Sequence, residues 1–235
     1  MAPRIDTVFE DDDLLLRWRD GTARRMVVVF TGVRAGFGGA PADEFAGSAS
    51  RNGENKVLFV TDRRATWYSA AGLWRRIVGL VRYLRRAEGI EEIVTLGTSM
   101  GGYGALLLPR ELRVRRAIAF APQLSLDPAA TGDARWTHGA ARPGALPARN
   151  VAESFAATRT QYYLTAGGDC PEDVAQVALA PDLPRVHRWI LPGARHDVAA
   201  RLKAAGLLHE VIGAIIRGRK AGVDALYARY TEAAT

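Results

Sequence analysis

The pattern of apolar and polar positions breaks the chain into short runs. Ile5-Asp6-Thr7-Val8-Phe9 and Leu14-Leu15-Leu16-Arg17-Trp18 flank an acidic turn and read as a strand pair, in the manner of a hairpin. Asp20-Gly21 marks a second turn. Met26-Val27-Val28-Val29-Phe30 is then an unbroken apolar run, as expected of a strand buried on both faces. Val57-Leu58-Phe59-Val60, Ile93-Val94-Thr95-Leu96, Arg116 to Phe120, Gln161 to Thr165 and Arg185 to Leu191 complete a set of eight predicted strands.

Between the fourth and fifth of these, Leu73, Trp74, Ile77, Leu80, Val81 and Leu84 recur at three and four residues. That spacing predicts a helix from about Ala71 to Glu88 with one face on the sheet, ended by Gly89. Further helices are expected over about Pro171 to Leu179, Asp197 to Ile216 with a break near Gly206, and Gly222 to Glu232. Alternating strand and helix implies an α/β fold with a mainly parallel sheet and helices on both faces. Ligands in such sheets bind beyond the carboxyl ends of the strands. Residues 124–150 show no periodicity and read as a short lid-like insertion after the sixth strand. No repeat or linker interrupts the pattern, so a single domain over residues 1–235 is expected.

Candidate chemistry enters at the fifth strand. It runs into Gly97-Thr98-Ser99-Met100-Gly101 and then Gly102-Tyr103-Gly104-Ala105-Leu106-Leu107-Leu108, which can continue as a helix until Pro109. Strand, G-x-S-x-G, helix is the setting of a nucleophile elbow. A serine on so sharp a turn needs neighbours without bulk, and the helix N-terminus aims free N–H groups at the site.

With this motif, the strand count and the later acid and base positions, the chain resembles the α/β-hydrolases over nearly its whole length. The resemblance implies Ser99 as nucleophile and the Met100 N–H as one oxyanion donor. It places the second donor after the third strand, at Gly32 or Val33, although Thr31-Gly32 stands where many members have His-Gly. The glycine-rich stretch Arg34 to Pro41 follows directly. The triad acid is expected in Thr165-Ala166-Gly167-Gly168-Asp169-Cys170-Pro171-Glu172-Asp173. Asp169 has the commoner offset from the strand end and is preferred, with Asp173 its competitor. His196, in the loop after the eighth strand, is the implied base, since an imidazole can take the serine proton and return it to a leaving group. The order Ser99, Asp169, His196 is that of the fold.

The remaining candidates read more plainly. His187 belongs to the last strand, His138 to the insertion and His209 to a late helix, while Asp197 reads as a helix cap. Trp67, Tyr68, Tyr103 and Trp136 are candidate pocket walls or core. Cys170 is the single cysteine, which excludes an intrachain disulfide and suits a reducing cytoplasm. No His/Cys/carboxylate cluster has metal-ligand spacing, and neither metal nor cofactor is expected.

A net charge of +7 invites a nucleic-acid reading. The arginines, however, are spread over helices without an aromatic-interleaved module, so nucleic acid is not expected and weak attraction to anionic surfaces is. No apolar run reaches the roughly 18 residues that span a bilayer. The expected function is a cytoplasmic serine esterase or thioesterase acting on a small or lipid-like acyl substrate. An acyltransferase with the same triad and a non-catalytic binding member of the fold are the alternatives. Oligomeric state is not legible.

Overall fold

A computed structural model describes residues 4–33, 43–136 and 146–234. Eight strands form one sheet: β1 (Ile5–Glu10), β2 (Leu14–Arg19), β3 (Arg25–Phe30), β4 (Lys56–Asp62), β5 (Glu92–Thr98), β6 (Arg116–Phe120), β7 (Gln161–Gly167) and β8 (Val186–Leu191). Their order is β1-β2-β4-β3-β5-β6-β7-β8. β1 and β2 pair antiparallel and so do β2 and β4, while every pairing from β4 through β3 to β8 is parallel. The expected α/β fold with an eight-stranded, mostly parallel sheet is therefore present.

The β3 run shows why both sheet faces need cover. Successive side chains of a strand point to opposite faces, and Met26, Val28 and Phe30 enter one core while Val27 and Val29 enter the other. On the first face lie α2 (Leu73–Ala87), α3 (Met100–Leu107) and α5 (Pro171–Ala178), contributing Ile77, Val81, Tyr103 and Val177. On the second lie α1 (Ala46–Ser50), α6 (Val198–Ala204), α7 (Leu208–Ile216) and α8 (Lys220–Ala234), contributing Ala49, Leu202, Ile212 and Tyr227. The break near Gly206 separates α6 from α7, with Gly206 at φ 73°.

The described part of the segment between β6 and β7, expected to be a lid-like insertion, is more structured than its sequence suggests. A short helix, α4 (Pro128–Thr131), is capped by the Asp127 carboxylate, which accepts from Ala129 N at 3.0 Å. The buried Gln176 amide of α5 accepts from Leu124 N and Ser125 N at 2.8 and 3.0 Å and donates to Ser125 O at 2.8 Å. Tyr103 Oη donates to Ala148 O at 2.8 Å, and a 3₁₀ helix follows at Val151–Ala157. Part of the lid expected over residues 124–150, including His138, and the glycine-rich Arg34 to Pro41 stretch lie outside the described residues.

Candidate active site

Ser99 occupies the one-residue gap between β5 and α3, with φ 54° and ψ −123°. A non-glycine residue at positive φ costs about 1–3 kcal/mol and persists only where its surroundings impose it. Here they do. A Cβ on Gly97 would lie 2.2 Å from Gly101 O, and one on Gly101 would lie 2.1 Å from Phe30 O. The turn closes only because both positions are bare, and the Ser99 N–H is fixed on Phe120 O at 3.0 Å.

The serine hydroxyl has two partners. His196 Nε2 lies 2.9 Å from Ser99 Oγ, and Gln123 Nε2 donates to the same oxygen at 3.1 Å. Gln123 follows β6 and is wholly buried. Its carbonyl accepts from Trp67 Nε1 at 3.3 Å. Trp67 in turn stands in a loop where Ala65, Trp67 and Tyr68 all have positive φ. Asp62, at the end of β4, holds that loop: one carboxylate oxygen accepts from Thr66 N, Thr66 Oγ1 and Tyr68 N at 2.8 to 2.9 Å.

Asp173, not Asp169, faces the imidazole. His196 Nδ1 lies 2.9 and 2.8 Å from the two oxygens of Asp173, which is 1% exposed. An acceptor on that side makes Nδ1 the protonated nitrogen and leaves Nε2 to accept from the Ser99 hydroxyl. Asp169 lies on the exposed turn before α5, and its carboxylate accepts from Gly193 N at 3.2 Å. The offset from the strand end misleads because α5 begins at Pro171 and places Asp173 in its first turn.

Arg135, from the segment between β6 and β7, completes the surroundings of Asp173. Its Nη2 donates to Asp173 Oδ1 at 2.8 Å, and the same guanidinium grips both oxygens of Asp133 at 2.8 Å. Burial pushes the Asp133 carboxyl up, but the hydrogen bonds and charge of Arg135 outweigh it and hold it below its ordinary range. The neighbouring Trp136 ring lies 6.1 Å from the His196 ring and 5.4 Å from that of Trp67.

Of the expected oxyanion donors, the Met100 N–H opens α3 and has no intrahelical acceptor. The Gly32 N–H is committed elsewhere, donating to Glu44 Oε2 at 3.1 Å. Val33 N–H has no partner among the described residues. Burial raises the Glu44 carboxyl above its ordinary pKa, against the opposing bond from Gly32.

The remaining candidates are placed as follows. Trp67, Tyr68 and Tyr103 are fully buried, and of the four aromatic candidates only Trp136 lines the cavity over Ser99. His187 bonds to Gln161 at 3.2 Å within the sheet, whereas His209 also lines the cavity. Asp197 stands at the start of α6 without capping it through its side chain; it binds Arg195 N and Arg201 Nε instead. The buried Cys170 thiol donates to Glu172 at 3.3 Å, and burial pushes its pKa up, away from thiolate chemistry. Gln123 and Arg135 were not singled out from sequence; the only signal was position, since Gln123 lies just past the carboxyl end of a central strand.

The cavity over Ser99 and His196 has a volume of about 1260 Å³. Among the described residues no cluster of His, Cys, Asp and Glu could hold a metal ion, and no helix is long and apolar enough to cross a membrane.

No family model matches the sequence, and no curated protein matches it. Solved structures do match in shape. The capsule O-acetyltransferase of Neisseria meningitidis serogroup A shares 16% identity over 89% of this chain and 93% of its own, with a TM-score of 0.60. Dienelactone hydrolase from Anabaena variabilis shares 15% over 98% and 99%, with a TM-score of 0.61. Carboxyl esterase 2 from Tuber melanosporum shares 12% over 99% and 88%, with a TM-score of 0.62. At such identities the likeness is one of fold, and the fold is that of the α/β-hydrolases.

Proposed function

We propose that the protein is a serine hydrolase of acyl bonds, with Ser99 as nucleophile, His196 as general base and Asp173 as the triad acid. The observation that carries this reading is the continuous chain Ser99 Oγ, His196 Nε2, His196 Nδ1, Asp173, with every link at 2.8 to 2.9 Å. His196 takes the serine proton as Ser99 Oγ attacks the carbonyl carbon of an ester or thioester. The resulting oxyanion is held by the Met100 N–H and, after the third strand, by the Val33 N–H, since Gly32 is occupied by Glu44. His196 passes the proton to the departing alcohol or thiol, leaving an acyl-Ser99. It then deprotonates a water that attacks the acyl carbon, and returning the proton to Ser99 releases the acid. Asp173 fixes the imidazole tautomer and stabilises its charged form. Gln123 bridges Ser99 and Trp67 and so fixes the hydroxyl before attack. The mechanism uses no metal or cofactor.

The likeness to an O-acetyltransferase supports a second reading, in which a hydroxyl compound rather than water takes the acyl group. Added alcohols that divert product from acid to ester, without raising total turnover, would distinguish transfer from hydrolysis.

The test of the main reading is labelling by a fluorophosphonate, which reports an activated serine without presuming a substrate. Ser99→Ala should abolish labelling. His196→Ala should lower its rate by several orders of magnitude, and Asp173→Asn by about 10⁴-fold, as for other triads that lose the acid. Asp169→Asn should leave it within a few-fold of wild type. A folded protein that does not label, or in which only Asp169→Asn is silent, would overturn the assignment.

A further inference from the structure

The cavity above Ser99 carries charges of both signs, and their pairing is uneven. Its carboxylates are all engaged. Asp43 has both oxygens on Arg17 Nη1 at 2.7 Å, Asp197 binds Arg201 Nε at 2.9 Å, and Glu44 accepts from Gly32 N while largely removed from water. Neither Arg17 nor Arg201 lines the cavity. Each acid's charge is thus answered from outside the cavity or weakened by burial.

The bases are not answered. Arg195, in the loop just before His196, Lys203 on α6 and His209 on α7 all line the cavity and are exposed, so they form its rim. Among the described residues, no ion pair or hydrogen bond engages their side chains. Ala199, Ala200 and Lys203 line the same cavity and share a face of α6, which sets the ammonium on the wall that faces the site. Between rim and serine the wall is largely apolar, with Val33, Phe45, Trp136 and Leu208. An apolar passage with a positive rim fits a substrate of matching polarity: an uncharged segment near the reacting carbonyl and an anion several bonds away.

We propose, building on the serine-hydrolase reading, that the site prefers acyl esters or thioesters bearing a remote anionic group, carboxylate or phosphate, which Arg195 and Lys203 receive at the rim. The anion can sit on the acyl part or on the leaving part, and paired substrates separate the two. The 4-nitrophenyl monoester of glutaric acid against 4-nitrophenyl pentanoate tests the acyl side. Acetyl-coenzyme A against the acetyl thioester of N-acetylcysteamine tests the leaving side.

The readout is the anionic-to-neutral ratio of kcat/KM within each pair, so intrinsic reactivity cancels when enzymes are compared. Two reversed charges should lower that ratio roughly tenfold or more in Arg195→Glu/Lys203→Glu for at least one pair, and added salt should shrink the wild-type ratio. Arg113→Glu/Arg159→Glu makes the same change in net charge next to the starts of β6 and β7, at the far end of the sheet, and should leave the ratio unchanged. Ratios indifferent to the rim variant, or shifted equally by the distant one, would overturn the proposal while leaving the hydrolase intact. A folded protein that turns over none of the four compounds and does not label with fluorophosphonate would instead remove the hydrolase reading, and this inference with it.

Discussion

Arg135 poses a conflict at the residue scale. The proposed triad acid serves by its negative charge, yet a guanidinium donates at 2.8 Å to Asp173 Oδ1, an oxygen that His196 Nδ1 also contacts. The groups around Asp173 are His196, Arg135, Asp133 behind the guanidinium, and Cys170 and Glu172 on its own turn. Asp133, 2% exposed, spends much of the arginine's charge, so Arg135 reads as a clamp that fixes the Asp173 carboxylate more than as a quencher of it. Removing it should do two things. Two buried carboxylates lose their counter-charge, which should cost about 1–3 kcal/mol, below the full value for a buried pair because Arg135 is 29% exposed. Asp173 also loses the donor that fixes its carboxylate against His196, so fluorophosphonate labelling should slow several-fold in the fraction that stays folded. Urea unfolding and the labelling rate of Arg135→Ala check the two parts, and Arg135→Lys should restore much of the labelling rate. A stability loss with an unchanged labelling rate would make Arg135 purely structural. The Asp133 shift has its own sign. A depressed carboxyl pKa contributes stability above the unfolded value of 3.8, and this is lost as pH falls through the folded one.

At the scale of elements, the site depends on a loop that makes no contact with substrate in the mechanism. The turn after β4 carries three residues at positive φ, none of them glycine, and Asp62 is the buried acceptor that holds it. The loop positions Trp67, Trp67 holds Gln123, and Gln123 donates to Ser99. Asp62→Ala leaves the buried Tyr68 N–H and the part-buried Thr66 donors unmet, a loss of about 2–3 kcal/mol. It should also slow fluorophosphonate labelling in the fraction that stays folded. Full labelling at wild-type rate would show that the Trp67–Gln123 link does not matter to the serine. None of this relay was legible in the sequence, whereas the β5–Ser99–α3 turn was, and the reason is range. Gly97 and Gly101 act on Ser99 through adjacent backbone, so their signature is local. Gln123 reaches a residue 24 positions away and Arg135 one 38 positions away, and no local pattern marks such pairs. The choice between Asp169 and Asp173 failed for a related reason. β7 runs to Gly167, two residues beyond the apolar segment read from sequence, and the direction of each carboxylate depends on where α5 begins.

Across the whole molecule, Ser99 comes from the middle of the sheet and His196 and Asp173 from the β7–β8 end, so the site exists only while the sheet holds together. Tyr227 of α8 shows how the layer behind contributes. Its hydroxyl lies 2.7 Å from Thr165 Oγ1 on β7, and burial keeps the phenol neutral by pushing its pKa up, so it can donate. The carbonyl of the same Thr165 accepts from Ala121 N at 2.7 Å, two residues before Gln123. One residue of β7 thus ties the helix on the second face to the segment that leads to the serine's partner on the first. Tyr227→Phe leaves the Thr165 hydroxyl buried without its partner and should cost about 1–2 kcal/mol. Tyr227→Ala also opens a cavity between α8 and the sheet and should cost about 3–5 kcal/mol. Because both cores share the one sheet, far-ultraviolet circular dichroism and fluorophosphonate labelling should be lost at the same urea concentration in each variant, with the midpoint lowered in that order. Labelling that survives past the structural transition, or vanishes well before it, would mean that α8 and the β7 end of the sheet unfold as a separate unit, and that the serine's setting does not depend on the second face.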